Sequence, residues 1–202
     1  MVREIISLHI GGCGGNIGVV CWEQFNLERN FAHSNKLSVK ANTKKDIQEN
    51  TCFYDTTKPG IWNPRCIFID SDKQSLDQSI HSMEKIEQMN KNNFLEFPSI
   101  ERDERISYRE DFEEVLVDNF RKLTEPIDEL EGFWSTLGIS GSTSSLIYSI
   151  YSGILLDAYT SKYHFETRVI PSTNHKLTTD ELLNTMRAWT PDRKSQSCLF
   201  TF

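Results

Sequence analysis

An α/β fold, with a mostly parallel sheet and helices on both faces, is what this 202-residue sequence predicts. Three observations carry the expectation. Short apolar runs rich in β-branched residues, such as Ile5, Ile6, Leu8 and Ile10, have the composition of strands buried on both faces. Segments with helical apolar spacing separate those runs. Twice, a strand gives way to a helix through a stretch of small residues, Gly11-Gly-Cys-Gly-Gly15 and Ser140-Gly-Ser-Thr-Ser-Ser145. Strands alternating with helices build parallel sheets.

The elements follow in order. Ile5 to Ile10 is the first strand, and the helix after it is predicted from Asn16, with Ile17, Val20, Cys21 and Phe25 at helical spacing. Glu28 to Asn50 is polar and aperiodic, so it reads as a long surface loop. Lys58-Pro-Gly60 is a turn, and Cys66 to Ile69 is a second buried strand ending on Asp70. Ser75 to Lys91 is polar and partly helical, and Phe94 to Phe97 is a short third strand. The charge run Ile100 to Arg105 reads as a solvated face. Arg109 to Leu123 is an amphipathic helix carrying Phe112, Val115, Leu116, Phe120 and Leu123. Gly132 to Ile139 is a strand, and the apolar helix beyond the serine-rich loop is predicted over Leu146 to Tyr159. Phe165 to Ile170 is a strand stopped by Pro171. Thr178 and Thr179 cap a helix over Asp180 to Trp189, and Cys198 to Phe202 is a last strand.

Composition narrows the function classes. The length fits one domain with a sizeable core. A net charge of -7 argues against non-specific nucleic-acid binding. The five cysteines, at 13, 21, 52, 66 and 198, form no C-x-x-C pair and read as reduced thiols of an intracellular protein. No apolar run approaches roughly 18 residues, and Met-Val-Arg-Glu is no signal-peptide start, so a soluble, cytoplasmic protein is expected without membrane contact.

The chemistry sits at the two small-residue junctions. A strand, a glycine turn and a helix make a phosphate cradle: the first N–H groups of a helix are unpaired and carry the positive end of its dipole. The first junction is neither G-x-G-x-x-G nor a P-loop, since Ile17 stands where the third glycine belongs and no Lys-Ser/Thr pair follows. A tight turn that only packs a helix on a sheet is the competing reading. The second junction offers hydroxyls as well as N–H groups, and there an ordinary Ser/Thr N-cap competes. Asp70, at the carboxyl end of a strand, and Asp72 are able to hold Mg²⁺ through water; the alternative is that they cap the next helix. A nicotinamide site is disfavoured, because Asp70 lies far beyond the roughly 20-residue offset of a ribose-binding acid.

Matches at consistent spacing run through nearly the whole chain. They include Arg3-Glu-Ile-Ile-Ser-Leu-His-Ile-Gly11, Cys21-Trp-Glu23, Asn50-Thr-Cys-Phe53 and Pro64-Arg-Cys-Ile-Phe-Ile-Asp70. They continue with Asp118-Asn-Phe-Arg-Lys-Leu123, Leu130-Glu-Gly-Phe133 and the stretch from Phe133 to Phe202. On these the chain resembles the N-terminal nucleotide-binding half of tubulin, α more than β, with its Rossmann-like tubulin/FtsZ GTPase fold. The resemblance implies GTP with Mg²⁺ and head-to-tail polymerisation. Carried over by position, it implies a nucleotide site of Gly11, Gly12, Cys13, Gly14 and Asn16 from the first loop. Gly138, Gly141, Ser142, Thr143 and Ser144 come from the second, Glu181 is a ribose contact, and Asp70 and Asp72 stand on the metal side.

The departures are equally specific and read as a degraded phosphate site. Gly12 replaces the family's glutamine, and Asp72 is shortened from glutamate. The G-G-G-T-G-S-G signature becomes Ser140-Gly-Ser-Thr-Ser-Ser-Leu146, and Ile170 replaces a tyrosine. Phe97-Pro-Ser-Ile-Glu-Arg-Asp103 offers no phosphate donors, and Glu101, Asp103 and Glu104 add negative charge. Each lost glycine places a Cβ, and at position 146 a leucine, near the expected phosphate oxygens. Each costs about 1 kcal/mol or more wherever φ is positive. By the resemblance, residues 1–202 are one domain lacking the central helix, the intermediate and C-terminal domains and the loop that supplies a catalytic acid. The chain is therefore not expected to hydrolyse GTP alone, and one side of the sheet is expected to expose an apolar patch. Two readings follow: a nucleotide-binding cytoskeletal protein, or a nucleotide-free pseudo-GTPase module that binds tubulin, microtubules or another partner. A fragment of a longer chain is a third.

Overall fold

The computed structural model describes residues 3–28, 51–58, 61–84, 91–97, 105–172, 174, 176–189 and 196–201. The expected polar loop after Glu28, the tip of the turn at 59–60 and the acidic stretch with Glu101, Asp103 and Glu104 lie outside these residues.

Strands β1 (Glu4–Ile10), β4 (Cys66–Asp70), β5 (Phe94–Glu96), β6 (Leu130–Gly138), β7 (Tyr163–Val169) and β8 (Gln196–Thr201) form one sheet. Its order is β5-β4-β1-β6-β7-β8, and every pairing is parallel. Helices α1 (Gly11–Glu28), α2 (Lys73–Glu84), α3 (Arg105–Thr124), α4 (Ser142–Ala158) and α5 (Thr179–Trp189) follow the strands. The predicted α/β class is the one observed. Strands β2 (Tyr54–Lys58) and β3 (Ile61–Pro64) form a separate antiparallel hairpin around the predicted turn, and the sequence reading omitted them.

Side-chain alternation sorts the core into two layers. Ile6, Leu8 and Ile10 of β1, Ile67 and Ile69 of β4, and Phe133 and Leu137 of β6 pack with α3, α4 and α5. Cys66 and Phe68 point the other way, toward Trp22, Leu76, Met83, Tyr54 and Trp62. Among the described residues no helix is long and apolar enough to cross a membrane. Cys13, Cys21, Cys52 and Cys66 take part in no disulfide, and burial pushes the Cys66 thiol well up.

Two helix starts differ from the expected ones. α1 begins at Gly11, not Asn16, and α4 begins at Ser142, not Leu146. In both cases the small residues are the first helical turn rather than a loop before it. The buried face of α1 is also not the predicted apolar stripe. It is Gly11, Gly14, Gly15, Gly18, Trp22 and Asn26, and Val20 is 63% exposed. A Cβ at Gly14 would sit 2.3 Å from the Thr136 carbonyl oxygen, and one at Gly18 2.4 Å from the His9 ring. Glycine lets α1 lie directly on β1 and β6.

A buried relay fixes that contact. Trp22 Nε1 donates to His9 Nε2 (3.0 Å), His9 Nδ1 lies 2.8 Å from Thr136 Oγ1, and Thr136 Oγ1 donates to the Gly14 carbonyl (3.2 Å). The indole only donates, so His9 carries its proton on Nδ1. Burial lowers the His9 pKa to about 3 and keeps the ring neutral.

Candidate nucleotide-phosphate site

The sheet order places a topological switch at β1. The chain moves from β1 to β4 and β5 on one side, and then to β6, β7 and β8 on the other. Ligands of open parallel sheets sit at the carboxyl ends of strands beside such a point. Here that position is bounded by the starts of α1 and α4.

α1 starts directly after Ile10, at Gly11 with φ +71°, a left-handed conformation that favours glycine. α4 starts after Gly141, which is extended and gives no side-chain cap. The first α4 hydrogen bond is Ser145 N to the Gly141 carbonyl (3.0 Å), so the N–H groups before it have no intrahelical acceptor. The two helix starts are in contact. Ser144 Oγ donates to the Ile10 carbonyl (3.4 Å) and sits where a Cβ on Gly11 would fall, 2.4 Å away. Cys13 presses on Gly138, whose Cβ would lie 3.1 Å from the Cys13 Cβ. Burial raises the pKa of the Cys13 thiol.

The metal-side acids each hold a backbone N–H. Asp70 is buried at the end of β4; its Oδ1 accepts from Asp72 N (3.2 Å), and its Oδ2 faces Gly12. Asp72 is exposed, its Oδ1 accepts from Gln74 N (3.1 Å) and its carbonyl accepts from Leu76 N, so it caps α2. Among the described residues no group of three or more His, Cys, Asp or Glu side chains gathers to hold a metal alone. Two acids beside a phosphate seat suit Mg²⁺, which keeps waters and takes one or two carboxylates plus phosphate oxygens.

The structure thus brings Gly11, Gly12, Cys13, Gly14, Gly138, Gly141, Ser142, Thr143, Ser144 and Asp70 to one end of the sheet. Asn16 stands exposed one turn along α1. Glu181 closes a capping box with Thr178: it accepts from Thr178 N (2.7 Å) and Oγ1 (3.0 Å), and Thr178 Oγ1 accepts from Glu181 N (3.2 Å). α5 thus carries a capping box of its own, whereas α4 starts without a side-chain cap.

The lost glycines do not block the seat. Of the four replaced glycines, Ser142, Ser144 and Leu146 lie inside α4, where right-handed dihedrals suit any L-residue, so the expected positive-φ cost does not arise at these three; Ser140 precedes the helix. Ser144 and Ser145 are buried and Leu146 packs against the core, so these side chains turn inward. Phosphate therefore fits the residues present.

Two contacts escaped the sequence reading. Ser71 Oγ meets Thr143 Oγ1 at 2.6 Å. Asn184 of α5 donates to the Ser140 carbonyl (3.3 Å), and Ser145 Oγ lies 3.3 Å from its Oδ1. No local signal marks either pair, because the partners lie far apart in sequence. A groove of about 540 Å³ between β5 and α3, lined by Phe94, Leu95, Glu114 and Val115, lies two strands from the switch point and holds no predicted site residue.

A doubly wound parallel sheet with two helix starts converging at its switch point defines a protein of the nucleotide-binding α/β class. The sequence model of the Tubulin/FtsZ family, GTPase domain, matches residues 4–202, and the chain belongs to that family. It is 28% identical to the tubulin alpha-1 chain of Saccharomyces cerevisiae over 204 residues, covering 98% of this chain and 45% of the relative. It is also 28% identical to the nucleomorph tubulin alpha chain of Guillardia theta over 175 residues, 85% of this chain and 39% of the relative. With the tubulin alpha chain of Pneumocystis carinii it shares 35% identity over 77 residues, 38% of this chain and 17% of the relative. The chain thus spans less than half the length of these relatives.

Proposed function

We propose that this chain binds a guanine nucleoside triphosphate, with its phosphates between the starts of α1 and α4 and Mg²⁺ on the Asp70 and Asp72 side. The observation that carries the reading is the α4 start, which has no side-chain cap and adjoins the glycine start of α1 at the switch point. Guanine follows from family membership. Ribose contact falls to Glu181, which would have to leave its capping box.

The assignment is binding without turnover, in a cytoskeletal setting in the cytoplasm. The described residues around the seat offer hydroxyls and N–H groups, and both acids already accept from backbone N–H groups in their own loop. Calorimetric titration with GTP, with and without Mg²⁺ and with ATP as control, tests this. Micromolar, GTP-selective binding is the expected result. No heat at millimolar nucleotide, with circular dichroism showing a folded chain, refutes it.

One observation favours a second reading, an interaction module that binds tubulin or microtubules. Leu182, Leu183 and Met186 are 49%, 45% and 62% exposed on α5, with Leu177 and Ile170 exposed just before it. Co-sedimentation with microtubules checks it, and absence of pelleting at high microtubule excess rejects it.

A further inference from the structure

We propose that Ser71 and Thr143 form a strap across the phosphate seat, closed in the free protein and opened by the incoming anion. This rests on the nucleotide reading above.

The geometry of the strap is set by the sheet. Ser71 is the first residue after β4, and Thr143 is the second residue of α4, which follows β6. β1 lies between β4 and β6, so the two strand ends are roughly 10 Å apart, two strand spacings. The hydroxyls nevertheless meet at 2.6 Å. They do so by spanning the position of β1, the strand between β4 and β6. Gly12 leaves that space open: a Cβ there would already touch Ser75 Oγ at 3.4 Å and approach Asp70 Oδ2 to 3.8 Å. The strap therefore joins the metal-side loop to the uncapped start of α4, across the ground a phosphate must enter.

The chemistry makes it reversible. In the pair, one hydroxyl donates and the other accepts, so one proton of the two is used. A phosphate offers ionised oxygens to both. Opening replaces one neutral hydrogen bond by two charge-assisted ones, each about twice as strong. Closed, the two hydroxyls serve each other beside the α4 start; open, both serve the ligand. The strap thus slows entry, and the one hydrogen bond given up on opening is offset by the two made to the anion.

Stopped-flow association of a fluorescent N-methylanthraniloyl GTP with the full chain, in Mg²⁺, tests this. Ser71→Ala frees Thr143 and is expected to raise the association rate constant about three- to ten-fold, the weight of one net hydrogen bond. Ser71→Thr keeps a hydroxyl and is expected to restore the wild-type rate. Thr143→Val opens the strap from the other side and removes a phosphate donor, so entry and release both quicken; it carries the test should Ser71→Ala not fold. A merely structural contact would lower the unfolding midpoint and leave the rate alone, so equal rates for wild type and Ser71→Ala overturn the strap while the nucleotide reading stands. No binding by any folded variant overturns the nucleotide reading and the strap with it.

Discussion

Replacing Gly14 by alanine tests whether the glycines of α1 serve close packing. The added Cβ would fall 2.3 Å from the Thr136 carbonyl oxygen, 3.1 Å from its carbon and 3.4 Å from the His9 carbonyl carbon. Ordinary contact begins near 3.4 Å, and all three atoms are backbone, so none can swing aside. α1 has to lift by about 1 Å, an overpacking cost of about 1–3 kcal/mol. Lifting also stretches the Thr136 hydrogen bond to Gly14 and the His9 contact behind it, worth about 1 kcal/mol each. Alanine returns about 0.5–1 kcal/mol of helix preference, which leaves a net loss of about 3 kcal/mol. At a urea slope of about 2 kcal/mol/M, the midpoint followed by far-ultraviolet circular dichroism falls by about 1.5 M. Gly12→Ala is the control. Its Cβ meets only Ser75 Oγ at 3.4 Å and Asp70 Oδ2 at 3.8 Å, so its midpoint holds or rises. Equal losses in the two variants, or a Gly14→Ala loss under about 0.5 M, refute the packing account.

Three further outcomes are expected. Native His9 is held neutral with its pKa lowered to about 3, while the unfolded chain takes up a proton near 6.5. Its contribution is complete above pH 6.5 and is lost as pH falls from there toward 3, at up to about 1.4 kcal/mol per pH unit. Urea midpoints from pH 7.5 to pH 4.5 check this, and a flat profile contradicts it. Arg168 is buried, pairs with Glu166, donates to the Tyr148 hydroxyl (2.7 Å) and to the Ala188 carbonyl (2.6 Å), so Arg168→Ala leaves Glu166 buried and unpaired. A loss of about 3–5 kcal/mol in chemical denaturation is expected, and under 1 kcal/mol argues against the network. Asp70→Asn removes a metal-side charge but keeps an oxygen for Asp72 N, so the Mg²⁺ enhancement of GTP binding falls at least tenfold with little change in the unfolding midpoint. An unchanged Mg²⁺ dependence in calorimetry removes Asp70 from the metal side.

The strands were legible because a strand buried on both faces leaves a continuous apolar run, as Cys66 to Ile69 does. The hairpin was not, because Tyr54–Lys58 is mostly polar and Pro64 discourages a strand reading. The helix starts were displaced for a physical reason. Gly11 to Gly15 and Ser142 to Ser145 have loop composition, yet smallness there serves close approach: Gly14 against β6, and Ser144 between Gly11 and Ile10. Composition reports residue size and cannot say whether size answers to a turn or to a neighbour. The same limit hid Ser71–Thr143 and Asn184–Ser145, partners 72 and 39 positions apart that only the strand order brings together.

That distinction decides how the altered signature is to be understood. Counted as letters, Ser140-Gly-Ser-Thr-Ser-Ser-Leu146 has lost four glycines, and a phosphate loop made of side-chain-free backbone would not survive the loss. Placed on the fold, three of the four replacements, at 142, 144 and 146, fall on helical positions, and two of these turn into the protein, Ser144 onto Ile10 and Leu146 into the core, beside the retained Ser145, which turns toward Asn184. What faces outward is Gly141 and the Ser142 and Thr143 turn, still without a side-chain cap. Helix N–H groups, not glycines as such, attract an anion. The substitution at Ser144 exchanges backbone freedom for a hydroxyl tether onto β1, while the retained Ser145 holds the α4 start toward α5. A helix start built that way is stiffer than a glycine loop, so an anion seated there would have to fit a fixed seat.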